Sequence, residues 1–364
     1  SVDPAGPDTS DGDGDGGGGG GDGGGGGTSS FRHCDGDSAA HETFNAFWST
    51  FDLHYAVFDV RLRGTSWAAI GEEACAALLA DISGDDLFDL LIGMAEHLDD
   101  GHVTLTAPEL GRDEDAEVSV YPHYDAVYEL EDLVEEEYLD DSFERAAEDE
   151  ISWGTIGAIG YISITSMEEL SASGDEEDDV AAARQAMAAA MDDLAGVDGI
   201  VVDVRANEGG WDAVSLEIAA WFAGPRAVAW SEQVRSGPAH DDLSVPVATY
   251  VDATRAGGFA GPVVLLTSGG TYSAAETFAL AMRVRDDVLL LGERSSGHFS
   301  DMIGGELPGG WELTYSGERY IAADGNVYEA SGVPVDIAVP LDLAALARGE
   351  DAMLAAALAE LGGP

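Results

Sequence analysis

The chain has 364 residues, 45% of them hydrophobic, which is enough for one large domain or two smaller ones with a sizeable core. Its 71 acidic residues outnumber 15 basic ones, all of them arginine, and the net charge is −56. This charge repels nucleic acid and anionic membranes, so we expect neither as a partner. No apolar run reaches the roughly 18 residues that a membrane-spanning helix requires, so none is predicted.

Residues 1–38 consist mainly of Gly, Asp and Ser and contain almost nothing apolar. This composition does not offset the entropy of ordering, so the segment is predicted to be a disordered tether. The chain starts at Ser1 without a methionine or an apolar leader. These features favour a secreted or cell-envelope protein, and one form of this would be a lipoprotein anchored through an upstream residue.

Two cysteines, Cys34 and Cys75, are too few for a disulfide framework. They could form one bridge between the N-terminal segment and the first helical region, or remain two free thiols. No group of His and Cys residues has the spacing of zinc ligands. We therefore expect no metal and no other cofactor.

The body of the chain divides into three segments by composition. Residues 39–108 carry apolar residues at helical spacing and predict a small N-terminal helical domain; two stripes define it, Phe44, Phe47, Trp48, Phe51 and Leu87, Leu90, Leu91, Met94. Residues 109–151 form an acidic connecting segment with one helix near 130–138. From residue 152 to 364, strand and helix patterns alternate.

This alternation predicts an α/β fold whose sheet is mostly parallel and whose strands are joined by crossover helices. The predicted strands are 156–164, 199–204, 263–266 and 288–291, followed by shorter, more polar ones at 311–315 and 319–322. The predicted helices are 179–194, 213–222, one that begins after Ser273, and a final one at 351–361.

A serine lies at the turn between the predicted strand 263–266 and the next helix, in the hexapeptide Thr-Tyr-Ser-Ala-Ala-Glu that starts at Thr271. Such a turn presents the Ser273 hydroxyl at the end of the sheet. The N–H of Ala274 points toward the helix N-terminus, where anionic charge is stabilised. The pattern suits a nucleophile that attacks a carbonyl, although an ordinary N-cap serine gives the same local sequence.

One strand–helix unit earlier, the loop Asp-Val-Arg-Ala-Asn-Glu-Gly-Gly follows a buried strand. Paired glycines allow close backbone approach and direct N–H groups into a site. Gly209 or Gly210 is therefore a candidate second oxyanion donor beside Ala274.

A serine nucleophile needs a base, and the chain has no lysine. His102 follows an Asp-Gly turn where a helix ends and a strand begins, and His298 follows the segment Leu-Gly-Glu-Arg-Ser-Ser-Gly at the end of another strand. His33 and His41 lie in or near the predicted flexible segment. Four other histidines lie in no distinctive turn and are interpreted as surface or structural: His54, His97, His123 and His240.

In this order, the Asp-Gly-His turn, the strand Ile-Gly-Tyr-Ile-Ser-Ile, the Gly-Gly loop, the Ser273 hexapeptide and the closing segment 329–336 resemble one family. They are similar to the C-terminal processing and tricorn-type serine peptidases, over roughly residues 42–108 and 154–362. The resemblance implies a ClpP/crotonase-like core. The place of the lysine used by the processing branch is taken by His298, so the chain looks like the lysine-free branch of tricorn and interphotoreceptor retinoid-binding protein.

By this resemblance Ser273 is the nucleophile of peptide-bond hydrolysis, His102 is its general base, and Glu329 supports the base. Gly209 or Gly210 and Ala274 form the oxyanion hole, and His298 is the alternative base. The implied substrates are peptides or unfolded proteins; no prediction of oligomeric state follows. The net charge is expected to raise the pKa of the catalytic imidazole.

Two other readings stay open. One is a catalytically silent protein of the same fold that binds hydrophobic ligands, as the retinoid-binding relatives do. The other is a crotonase-like acyl-CoA enzyme, against which the acidic charge argues because it repels the phosphates of coenzyme A.

Overall fold

The computed structural model describes residues 31–139, 143–252 and 258–363. Most of the predicted tether lies outside these residues. The helices are α1 (Ala39–His54), α2 (Phe58–Arg61), α3 (Trp67–Ala77), α4 (Gly84–Ala95), α5 (Tyr124–Glu137), α6 (Glu176–Asp193), α7 (Asp212–Ala219), α8 (Ala274–Met282), α9 (Leu343–Leu346) and α10 (Ala352–Glu360). The strands are β1 (Asp100–Ala107), β2 (Arg112–Ala116), β3 (Glu144–Ala146), β4 (Ile151–Ile156), β5 (Ile159–Ile164), β6 (Gly199–Asp203), β7 (Ala227–Val234), β8 (Val247–Val251), β9 (Val263–Thr267), β10 (Val288–Gly292), β11 (Met302–Leu307), β12 (Trp311–Ser316), β13 (Glu318–Ala322) and β14 (Ile337–Ala338).

A seven-stranded sheet in the order β14-β10-β9-β6-β5-β4-β3 forms the centre of the α/β core. The run from β5 to β14 is parallel, and only β4 and β3 at one edge pair antiparallel. The prediction of a mostly parallel sheet with crossover helices is therefore confirmed. Strands β6 and β9 are buried along their whole length, as expected for apolar strands covered on both faces.

Two layers of helices cover the sheet. On one face, small residues of α6, α7 and α8 pack against β5, β6 and β9, with Ala183, Ala190 and Ala279 fully buried. The opposite face is covered by α10 and by Val134 of α5. The loops after β6 and β9 meet at the carboxyl ends of the parallel strands.

The predicted strand over 156–164 is wrong as a single element. The chain instead forms the antiparallel hairpin β4–β5, with the pair Ile156 and Ile159 next to the turn. Gly157 adopts a φ of 63° in this turn, which glycine tolerates without steric cost. The glycine inside an apolar run was the signal for the reversal.

The N-terminal helices pack on a second, four-stranded sheet in the order β11-β12-β1-β2. Their core combines aromatic side chains of α1 and α3, such as Phe51 and Trp67, with Trp311 and Leu313 of β12. Because β1 pairs antiparallel with β12, strand β1 and its His102 are fixed to a hairpin from the C-terminal part of the chain. The domain boundary predicted after residue 108 stays a prediction. The core described here contains residues on both sides of that boundary.

Two further features complete the fold. Cys34 and Cys75 form a disulfide between the segment before α1 and helix α3. A three-stranded sheet, β13-β7-β8, lies beside α8, and its strands β7 and β8 were not predicted. Within the described ranges, none of the helices has the length and apolar character needed to cross a bilayer.

Candidate active site

Ser273 occupies the turn between β9 and α8, where it is the N-cap of the helix. Its backbone angles are φ 52° and ψ −123°, a combination that L-residues rarely adopt and that costs roughly 1–3 kcal/mol. The side chain is partly exposed, and its hydroxyl forms no hydrogen bond with any described residue. A strained turn whose serine makes no side-chain cap hydrogen bond fits a nucleophile elbow better than it fits an ordinary N-cap.

Hydrogen bonds fasten this turn to the preceding loop, which follows β6. The Ser268 hydroxyl donates to the carbonyl of Arg205 at 2.6 Å, and the Thr271 hydroxyl donates to that of Val204 at 2.8 Å. The N–H of Tyr272 donates to the carbonyl of Asn207 at 3.0 Å. The position of the Ser273 hydroxyl therefore depends on the loop that carries the glycines.

The two glycines of that loop differ in their hydrogen bonds. The Gly209 N–H donates to Asn207 Oδ1 at 2.8 Å, and the Asn207 amide in turn donates to the carbonyl of Ile164 at 3.0 Å. The N–H groups of Gly210 and Ala274 have no partner among residues 31–139, 143–252 and 258–363. Of the donors predicted from the sequence, the N–H groups of Gly210 and Ala274 are thus free to bind an oxyanion. The N–H of Gly209 is already used by its hydrogen bond to Asn207 within the loop.

A cavity of about 410 Å³ opens beside Ser273 and Gly210. Its walls carry four carboxylates, those of Glu168, Glu176, Asp212 and Asp301, together with the side chains of Trp211, Met302 and Ile303. Burial raises the pKa of Asp212 to about 7, although the hydroxyls of Thr277 and Tyr320 donate to it. No arginine lines this cavity in the part of the chain that the structure describes.

His102 lies on β1 and is almost fully buried. Its ring meets the ring of Tyr272, the residue before Ser273, edge to face with 5.1 Å between the centroids. The imidazole therefore lies next to the serine turn, but it does not hydrogen-bond the Ser273 hydroxyl, and its Nδ1 has no partner among the described residues.

Burial lowers the pKa of His102 to about 4, and the opposing charge of Asp100 does not compensate. The expectation that the net charge of the chain raises this pKa is therefore wrong. Local desolvation outweighs a distant surface charge because solvent screens the latter.

His298 lies on the other side of Tyr272, with the two rings stacked at 4.4 Å, and 5.9 Å from the ring of His102. Its Nδ1 is 2.7 Å from the Ser296 hydroxyl, and its Nε2 has no partner within the described chain. Burial, followed by the charge of Arg61, lowers the pKa of His298 to about 3. Both candidate bases thus flank the same tyrosine ring.

Glu329 does not hydrogen-bond either imidazole in the described structure. Its Oε1 accepts hydrogen bonds from Nε and Nη2 of Arg61, and its Oε2 accepts one from the N–H of Phe299 at 3.0 Å. Sequence reasoning placed Glu329 at the site but missed Arg61. The arginine ends a four-residue helix, where a charged residue usually faces solvent.

The contacts of Glu276, the last residue of the hexapeptide, fit a structural role. Its carboxylate accepts hydrogen bonds from the Ser295 hydroxyl at 2.5 Å and from the N–H groups of Gly297 at 2.7 Å and His298 at 2.6 Å. Burial raises the pKa of Glu276 to about 8. Helix α8, which begins after Ser273, is thereby joined to the segment that carries His298.

No cluster of three or more His, Cys, Asp or Glu side chains in the described ranges is arranged to hold a metal ion. What the site offers is a free hydroxyl, two unoccupied N–H donors and two buried imidazoles at one edge of the sheet. This set can support attack on a carbonyl and stabilisation of the resulting oxyanion.

Known proteins share this fold. A suspected peptidase from Parabacteroides merdae matches with a TM-score of 0.74 and 22% identity over 89% of this chain and 97% of its own. The photosystem II D1 C-terminal processing protease matches with a TM-score of 0.50 and 16% identity, over 87% of this chain and 99% of its own. The tricorn protease matches with a TM-score of 0.51 and 14% identity, over 89% of this chain and 36% of its own.

At these identities the structural matches establish the fold alone. No curated protein matches the chain by sequence. The sequence profile of Peptidase family S41 matches residues 158–339, which is half of the chain and contains β5 to β14 with both the Gly210 loop and the Ser273 turn. The chain therefore belongs to peptidase family S41.

Proposed function

We propose that the protein is a serine peptidase in which Ser273 is the nucleophile, His102 the general base, and Gly210 and Ala274 the oxyanion donors. Glu329 supports the base assembly. The substrates are peptides or unfolded proteins, whose backbone lies along the cavity beside Ser273. The observation that carries this proposal is the strained Ser273 turn, which opens into a cavity together with the Gly210 backbone.

In the first half-reaction, Ser273 Oγ forms a bond to the substrate carbonyl carbon while its proton passes to His102. The carbonyl π electrons move onto oxygen, and the N–H groups of Gly210 and Ala274 bind the resulting oxyanion. Each such donor is worth about 3 kcal/mol of transition-state stabilisation. The C–N bond then breaks, the leaving amine takes the proton from His102, and water releases the acyl group by the reverse proton path.

The lowered pKa of His102 fits this role at neutral pH. A histidine with a pKa of about 4 is deprotonated above about pH 5 and so can accept the serine proton. The missing hydrogen bond between His102 and Ser273 does not argue against the role, because catalytic hydrogen bonds are often long without substrate and tighten in the complex.

His298 is the competing base, because its ring stacks on the same tyrosine and its Nε2 is unpartnered in the described structure. The substitutions His102→Gln and His298→Gln distinguish the two. We expect His102→Gln to lower kcat by about 1,000-fold and His298→Gln by about tenfold or less. The reverse order would assign the base to His298.

The alternative role as a silent binding protein for hydrophobic ligands is not favoured. Four carboxylates line the cavity at Ser273, and an apolar ligand would have to desolvate them without compensation.

Covalent labelling with a fluorophosphonate tests the nucleophile directly. We expect the wild type to label and Ser273→Ala not to label. The matched control is Ser300→Ala, since Ser300 lines the same cavity but its hydroxyl already donates to the carbonyl of Asp301 at 3.1 Å. Labelling that survives in Ser273→Ala, or is lost in Ser300→Ala, would reject Ser273 as the nucleophile.

We also propose that the protein works outside the cytosol or in the cell envelope. The disulfide between Cys34 and Cys75 supports this location, because such bonds persist mainly in oxidising compartments. Fractionation of the source cells, with thiol labelling of the recovered protein, tests it. Recovery from the cytosol with both thiols free would reject it.

A further inference from the structure

We propose that Arg61 is a positioning residue for catalysis and that Glu329 acts on the base through Arg61 rather than on the imidazole itself. This inference rests on the proposed function. It assigns a role to a residue of the short helix α2, far in sequence from the serine turn.

The guanidinium of Arg61 is buried and joins three segments of the site. It donates to the carboxylate of Glu329, to the carbonyl of Asp99 and to the carbonyl of Gly297, the last at 2.7 Å. Asp99 lies three residues before His102, and Gly297 directly precedes His298. One planar group therefore fixes the backbone beside both imidazoles.

The same set of contacts continues to the nucleophile. Glu276, in the first turn of α8, holds the N–H groups of Gly297 and His298. Arg61 holds the other side of Gly297 through its carbonyl. A continuous path of short hydrogen bonds thus runs from the helix of Ser273, through residues 297–298, to the turn of His102.

A buried carboxylate completes the path. Asp100 Oδ1 accepts the N–H of His102 at 3.1 Å, and its Oδ2 accepts the hydroxyls of Tyr55 at 2.6 Å and Ser316 at 2.8 Å. Burial alone would raise the pKa of Asp100, but the charge of Arg61, 3.8 Å away, brings it below its usual range. Arg61 therefore keeps Asp100 ionised, and this carboxylate in turn fixes the backbone N–H of His102.

The geometry requires an arginine. Five donors in a rigid fork allow the guanidinium to serve a carboxylate and two carbonyls at once, whereas an ammonium is a single point charge. Burying this cation costs free energy that only its full set of partners compensates. A buried cation that donates four hydrogen bonds at this point fits a positioning role better than a surface ion pair would.

A double-mutant cycle separates action through Arg61 from direct action of Glu329. The variants are Arg61→Met, Glu329→Gln and their combination, with kcat and KM measured on one peptide substrate. Each single variant leaves one buried charge without its partner, and the double variant removes both charges. We expect each single change to lower kcat about 30-fold with KM within twofold, and the double variant to lose no more than the worse single variant.

If Glu329 acts on the imidazole independently, the two losses multiply to about 900-fold, and the proposal is overturned. The conservative change Arg61→Lys should recover only part of kcat, because it restores the charge without the fork. Full recovery by lysine would show that charge alone matters and would also contradict the positioning role.

A second readout does not depend on turnover. Because the charge of Arg61 lowers the pKa of His102, Arg61→Met should raise the pKa of that imidazole, measured by NMR in a Ser273→Ala background that also carries Asp100→Asn, so that the ionisation of Asp100 cannot respond to the loss of Arg61. An unchanged pKa of His102 in this variant would show that Arg61 does not act on the base and would contradict the proposal. A wild type that neither labels nor cleaves would instead reject the proposed function and leave this titration as the test.

Arg285 provides the matched control. It is a mostly buried arginine that donates to the carbonyls of Phe222, Phe259 and Gly261 and pairs with Asp287. It lies near the amino end of β9, whereas Ser273 follows the carboxyl end. We expect Arg285→Met to lower the melting temperature about as much as Arg61→Met but to leave kcat within twofold per folded molecule. If Arg61→Met does not fold, the Glu329→Gln and Arg61→Lys pair supplies the cycle.

Discussion

Replacement of Gly209 by alanine should inactivate the enzyme through the nucleophile turn. Gly209 has a φ of 106°, and a Cβ added there would lie 2.6 Å from the Cβ of Ser273 and 2.9 Å from the N–H nitrogen of Ala274. Carbon atoms in contact prefer about 3.5–4.0 Å, so the serine turn would have to retreat by about 1 Å. A displacement of that size costs about 100-fold in rate, because the reacting groups lose their alignment.

The positive φ adds backbone strain to any Gly→Ala substitution, so a control variant must show the effect of that strain by itself. Gly196 has a φ of 95°, but an added Cβ there meets no described atom within 4 Å. It lies in the turn before the amino end of β6, away from the site. We expect both Gly209→Ala and Gly196→Ala to lose roughly 1–3 kcal/mol of stability from backbone strain. Only Gly209→Ala should lose activity beyond that.

The assay is kcat/KM on a fluorogenic peptide, expressed per folded molecule as determined by circular dichroism. A 100-fold loss corresponds to about 2.7 kcal/mol of transition-state stabilisation. If the kcat/KM of Gly209→Ala lies within threefold of that of Gly196→Ala, the close contact between the glycine loop and Ser273 does not determine the position of the Ser273 hydroxyl.

Three further outcomes follow from burial, loop length and charge. The pKa of His102 falls from 6.5 to about 4 on folding, so the unfolded state binds more protons between these values and stability is lost as the pH falls below 6.5. For the wild type, this histidine should lower the free energy of unfolding at pH 5 by about 2 kcal/mol. His102→Gln should not show this loss in urea unfolding. Reduction of the Cys34–Cys75 bond, which closes a separation of 41 residues, should cost about 4 kcal/mol in urea unfolding, and an equal stability with and without reductant would contradict this. Because four carboxylates line the cavity, peptides with Glu beside the scissile bond should be cleaved at least about tenfold more slowly at low salt than the same peptides with Arg there. Asp301→Asn, in the cavity wall, should reduce this ratio of rates, and Asp286→Asn, at an exposed position elsewhere, should not. Equal ratios in the two variants would exclude the cavity wall as the cause.

Local patterns were enough to predict the strands and helices that surround Ser273. The buried strands β6 and β9 are continuous apolar runs, and each is followed by a turn signal and a helix pattern. Their parallel pairing then brings the Gly210 loop and the Ser273 turn to the same edge of the sheet. This part of the site is encoded within short segments, and its prediction needed no long-range information beyond the parallel sheet.

The surroundings of His102 could not be predicted in the same way. Strand β1 pairs with β12, with Leu105 opposite Leu313, and nothing in either strand specifies a partner some two hundred residues away. The burial of Arg61 is equally non-local, because its partners Glu329 and Gly297 lie more than 200 residues away. Long-range pairing depends on the whole core, so the sequence indicated candidate residues for the site but not the groups that hold them in place.

The extreme acidity of the chain and the organisation of its site depend on different environments. Among the described arginines, Arg61 and Arg205 are the buried ones, and each lies beneath a loop of the site: Arg61 beside the turn of His102, and Arg205 in the loop of Gly210, where it pairs with Asp203 and Asp351. At 0.1 M salt, the repulsion between exposed carboxylates more than about 10 Å apart is largely screened, whereas the attraction within buried pairs is screened far less. Added salt should therefore relieve the repulsion that destabilises the fold while leaving the geometry of both loops unchanged. Buried arginine pairs can therefore hold the two loops of the candidate site in a chain of this charge, because those pairs are not exposed to the solvent that surrounds its surface.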